Sequence, residues 1–137
     1  MKTNLSIILL GTLLALNSFA DNSTCPKLGG QFYCLSQNGS REPTLDVLTI
    51  KQWIENDEPS VTNYSFAYRS LAGLMSTVQA DAVGINDGTG WITKCRNNRL
   101  VSITPDFTAM SELYIDRSDL VRAYNQNEVQ RCTFKSR

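Results

Sequence analysis

The chain has 137 residues, 42% of them apolar, with 13 basic and 13 acidic side chains, and it has no histidine. Balanced charge gives such a surface no electrostatic reason to seek nucleic acid or an anionic membrane. The missing imidazole removes Ser-His-Asp and Cys-His nucleophile pairs, imidazole general bases and histidine metal ligands together, so the expectation is a protein that is not an enzyme.

The first 20 residues read as an export signal: Lys2, an apolar stretch over 5–16, then a small-residue site at Ser18-Phe19-Ala20. About 12 apolar residues fall short of the roughly 20 that span a bilayer. Cleavage after Ala20 removes one positive charge and leaves a single domain, residues 21–137, with a net charge of about −1 and no membrane span. The expected address is periplasmic or secreted. Four residues separate Ala20 from Cys25, so lipid anchoring at that cysteine is not expected.

All four cysteines, Cys25, Cys34, Cys95 and Cys132, lie beyond the signal, and an even number in an exported chain predicts two disulfides. With no histidine and no C-x-x-C pair, neither a metal site nor a cofactor is expected. A two-residue turn at Gly29-Gly30 pairs Leu28 with Gln31 and, further out, Cys25 with Cys34, which predicts a Cys25–Cys34 bond across a first hairpin. Pro26 then stands at a ladder position with no N–H to give, so an irregular loop closed by the same bond is the variant reading.

Beyond the first hairpin, residues 45–54 are rich in β-branched side chains and read as a long strand. After a turn at 55–59, residues 61–68 place Tyr64, Phe66 and Tyr68 on one side, the most aromatic face of the chain. A strand over 76–85 ends in a glycine-rich turn at 86–90. Residues 91–96 and 99–103 form a hairpin through Asn97-Asn98, a pair that accepts the positive φ values of a type I′ turn. Strands at 110–115, 120–124 and 129–134 follow, with turns at 116–118 and 125–127. No segment keeps helical periodicity for three turns.

The fold class is therefore all-β. About eight short antiparallel strands leave open edges unless the sheet closes, so a small up-and-down barrel or strongly curled sheet is expected, ahead of a sandwich. With Cys25 bonded to Cys34, Cys95 and Cys132 would bond to each other; the other two connectivities stay formally open.

Little catalytic chemistry remains in the side chains. The acids, among them Glu42, Glu55, Asp81, Asp87, Glu112, Asp116, Asp119 and Glu128, fall mostly in predicted turns. The glycines of 84–90 lack the Lys-Ser/Thr and the helix of a phosphate loop. Sequons begin at Asn22, Asn38 and Asn63. The aromatic face remains: Phe32, Trp53, Tyr64, Phe66, Tyr68 and Trp91 are the candidate ligand-lining residues, set against the alternative of plain core packing.

At Leu28-Gly29-Gly30-Gln31-Phe32-Tyr33 the opening strand resembles the G-x-aromatic start of lipocalin-like barrels, with Phe32 where that group favours tryptophan. The resemblance implies a barrel holding a small apolar ligand, with no catalytic residues to carry over. Phe32-Tyr33-Cys34 is also similar to the first strand of small periplasmic lysozyme inhibitors, although their Ser-Gly-x-x-Tyr segment is missing. That second likeness implies a protein partner met through the surface.

Overall fold

The computed structural model describes residues 24–36 and 44–137. The expected signal, residues 1–20, lies outside them, as do Glu42 and the sequons at Asn22 and Asn38. Ten antiparallel strands follow one another: β1 Gly30–Ser36, β2 Thr44–Ile54, β3 Thr62–Tyr68, β4 Ser76–Ala80, β5 Ile85–Asn86, β6 Ile92–Arg96, β7 Arg99–Ile103, β8 Met110–Asp116, β9 Asp119–Tyr124 and β10 Asn127–Ser136. They form one sheet in the order β4-β3-β2-β1-β10-β9-β8-β7-β6-β5, so every connection is up-and-down and the last strand closes on the first.

The number is ten where about eight were expected, and two local features differ from the expected strands. The first is the region around Gly84. There the Asp81 carboxylate accepts the N–H groups of Val83 and Gly84, at 2.9 and 2.6 Å, and Gly84 takes φ 115°. That bend splits the expected strand over 76–85 into β4 and β5. The second is β1, which pairs with β2 on one side and β10 on the other instead of folding back on residues 25–28.

The edge strands β4 and β5 do not pair along their length, and the barrel is nearly closed. Asp81 and Lys94 make a single parallel bridge, and the Cys95 N–H donates to the Asp81 carbonyl at 2.7 Å. Gly84 is part of this seam: a Cβ there would stand 2.6 Å from Ile92 Cγ2.

Period-two alternation sends one face of each strand inward. Phe32, Leu48, Ile50, Tyr64, Ala80, Leu100 and Leu120 pack into one core with Leu28 and the buried cysteines Cys34, Cys95 and Cys132. Full burial of a side chain such as Phe32 contributes about 2 to 3 kcal/mol. Two-residue hairpins at Asn97-Asn98, Arg117-Ser118 and Asn125-Gln126 carry positive φ at both positions, the geometry that matches strand twist.

The first hairpin is corrected by the structure. Residues 24–29 run across one end of the barrel as a plug: the Tyr64 hydroxyl donates to the Pro26 carbonyl at 2.8 Å, and the Leu28 N–H donates to Gln52 Oε1 at 2.9 Å. Pro26 cannot serve a ladder, and here it has none to serve.

The disulfides are corrected with it. Cys25 bonds Cys95 and Cys34 bonds Cys132, in place of Cys25–Cys34 and Cys95–Cys132. Because Tyr33 faces Thr133 across β1 and β10, Cys34 and Cys132 become near neighbours, with Cα atoms 4.4 Å apart. The plug delivers Cys25 to β6, at a Cα separation of 4.7 Å from Cys95.

Candidate functional site

The plug makes the two ends of the barrel unlike. At the plugged end Phe32 and Tyr64 are fully buried, and burial pushes the Tyr64 hydroxyl well above the usual tyrosine range, so it stays neutral and donates to Pro26. Toward the opposite end the inward positions change character along each strand: Cys95 gives way to Thr93 on β6, Leu100 to Ser102 on β7, Leu113 to Ser111 on β8, and Leu120 to Arg122 on β9. The register aligns them, pairing Leu100 with Leu113, Ser102 with Ser111 and Leu113 with Arg122. Apolar positions below and mostly polar positions above are the result, with Leu113 level with Arg122.

Between them lies a half-open chamber of about 240 Å³. Leu48, Phe66, Val78, Leu100, Leu113, Leu120 and Cys132 supply its apolar wall, and Tyr68, Ser76, Ser102, Ser111, Arg122 and Gln130 its polar side. It continues, through Val78, Ser102, Ser111 and Arg122, into a wider mouth of about 620 Å³ bordered by Asp87, Thr89, Trp91, Thr93, Tyr124 and Val129. Thr93 Oγ1 and Ser102 Oγ are hydrogen-bonded at 2.9 Å, and the Asp87 carboxylate accepts the Thr89 N–H at 2.9 Å and its hydroxyl as well. The Thr89 hydroxyl and N–H bonds hold Asp87 below the usual carboxylate range.

Of the six residues expected to line a ligand site, the structure brings Phe66 and Tyr68 to the chamber and Trp91 to the mouth. Phe32 and Tyr64 lie in the core at the plugged end, Tyr64 stacked on Phe66 with ring centroids 6.4 Å apart. Trp53 stands on the opposite face of β2, its indole N–H donating to Glu55 Oε1 at 2.7 Å. The residues that sequence reasoning missed are the hydroxyls of Ser102 and Ser111 and the charge of Arg122.

Large apolar side chains also stand exposed at the open end, on the connections 69–75 and 104–109 and beside the hairpin 125–126. Leu71, Leu74, Met75, Phe107, Tyr124 and Val129 are among them. Phe107 is the most unusual: it is 77% exposed and takes φ 58°, which costs a bulky residue about 1 kcal/mol or more. Its N–H donates to the Thr104 carbonyl at 2.9 Å, and Thr104 and Ala109 bond each other across the base of the loop.

Several other carboxylates are engaged away from the chamber. Arg131 binds Asp116, Asp119 and Glu128 on the outer surface, Arg99 binds Glu112, and Asp81 caps the bend at the seam. Asn63, the third sequon asparagine, is 3% exposed inside β3, where a glycan has no room. Among the described residues no group of carboxylates and cysteines is placed to hold a metal ion, and no helix is long and apolar enough to cross a membrane. A second cleft, of about 400 Å³, lies at the plugged end between residues 24–29, Phe134 and Arg137. The two disulfides are compatible with an extracellular or periplasmic protein. No protein-family model, curated protein or solved structure matches this chain.

Proposed function

We propose that the protein is an exported, non-enzymatic binding domain, periplasmic or secreted, that carries a small ligand with an apolar body inside its barrel. One observation carries this reading: beyond the core around Phe32 and Tyr64 the inward face is hollow, with Phe66, Val78, Leu100, Leu113 and Leu120 around about 240 Å³ of space. A protein whose only task is structural gains by filling such a space, because each missing methylene leaves neighbours without contacts. The barrel of the lipocalin-like resemblance has the same use.

Native mass spectrometry after gentle isolation is expected to find a small apolar molecule retained by the wild type and lost from Leu113→Trp, whose indole fills the chamber. Retention of the same molecule by both proteins would sink the chamber as its site.

A second reading, an interaction or inhibitor domain acting through its surface, is favoured by a different observation. Phe107 is held out into solvent on a hydrogen-bonded loop despite an unfavourable φ, the posture of a side chain that anchors in a protein partner's pocket.

A further inference from the structure

Arg122 is the one ionisable side chain that lines both the chamber and its mouth. Among the described residues it has no ion pair and no hydrogen bond, whereas Arg99 and Arg131 are each committed to carboxylates. Asp87, the acid on the same mouth, is already engaged by Thr89. Directly across the strands from Arg122 stand Leu113 on β8 and Gln130 on β10. Arg122 therefore stands exposed where apolar wall gives way to hydroxyls and amide, without a partner among the described residues.

From this placement we infer that the ligand is a short amphiphilic anion, its acid group on Arg122 and its apolar tail in the chamber. The inference rests on the carrier reading above and narrows it. A guanidinium offers two parallel N–H groups to a carboxylate, and the hydroxyls of Ser102 and Ser111 and the amide of Gln130 stand on the same polar side of the chamber. At about 30 Å³ for each water-sized group, 240 Å³ admits about eight non-hydrogen atoms. A chamber of that size suits the tail of an acid of roughly six to nine carbons better than a long chain.

The test is calorimetric titration of the disulfide-bonded protein, residues 21–137, with sodium octanoate, 1-octanol, octylammonium and palmitate at neutral pH. Octanoate is expected to bind at least about tenfold more tightly than octanol, with octylammonium and palmitate weaker than either. Arg122 is exposed and unpaired among the described residues, so its replacement is expected to leave the fold intact. Arg122→Gln is expected to weaken octanoate about tenfold or more and to leave octanol unchanged, with Arg122→Lys between.

Equal binding of octanoate and octanol, with no effect of Arg122→Gln, overturns the anion while leaving the carrier in place, provided Leu113→Trp abolishes both. Failure of all four probes to bind overturns the anion as well. The carrier reading is then judged separately by the native mass spectrum. Tighter binding of palmitate than octanoate refutes the size limit and with it the assignment of the tail to the chamber.

Discussion

Asp46 shows how one side chain can hold a loop at the open end. It is 5% exposed, and its carboxylate accepts the N–H groups of Val47 and Ser70, at 2.8 and 3.1 Å, and the Ser70 hydroxyl. Burial is the largest influence on it and opposes ionisation. The bonds from Ser70 and Val47, helped by the nearby Arg69, outweigh burial, and the carboxyl titrates below its ordinary value of 3.8. A folded-state value below the unfolded one adds stability that is complete above the unfolded value and disappears as pH falls through the folded one. Asp46→Asn is expected to cost about 1.5 to 3 kcal/mol at pH 6 in urea denaturation. The gap between variant and wild type should close as the pH is lowered below about 4. A gap that stays constant down to pH 2 would mean that the charge contributes nothing.

At the scale of elements, the plug and the two disulfides act together. The bonds close segments separated by 70 and 98 residues, and chain-entropy estimates for loops of that size are about 4 to 5 kcal/mol each, an upper range in practice. Cys34–Cys132 staples the first strand to the last, whereas Cys25–Cys95 pins the plug to β6 beside the seam. Nonreducing peptide mapping is expected to recover Cys25 with Cys95 and Cys34 with Cys132. A Cys25–Cys34 peptide pair would contradict the plug, since both cysteines would then belong to one local loop.

For the molecule as a whole, the barrel is least secure where its edges meet. β1 and β10 each have partners on both sides, while the β4 edge meets β6, beside the two-residue edge strand β5, across a seam held by the Asp81–Lys94 bridge and the bond from Cys95. Native-state hydrogen exchange is therefore expected to release the amides of β4 and β5 first and those of β1, β9 and β10 last. Uniform protection around the barrel would show that the seam is as strong as a full ladder. The wall that opens first also carries Ser76 and Val78, so the seam and the chamber share side chains.

The all-β class, the strand periods and the positive-φ hairpin at Asn97-Asn98 were legible because each depends on neighbours in sequence: alternation, β-branching and turn chemistry act over a few residues. The aromatic face on β3 was legible for the same reason, and two of its three rings reach the chamber. Arg122 was not, because β9 is apolar on both faces. Val121 and Ala123 are buried on the outer side, in a region where Arg131 lies opposite Val121 and Arg99 lies over Tyr114. Alternation there could not say which face looks inward.

The cysteine pairing was equally hidden, since it follows from β1 meeting β10 and from a plug that crosses the barrel end, and neither leaves a local trace. Sequence alone determined that this chain makes short antiparallel strands with four cysteines and no imidazole. Only the closed sheet decided which strands meet, which cysteines bond, and that Arg122 lines the hollow, because those contacts join residues far apart in the chain.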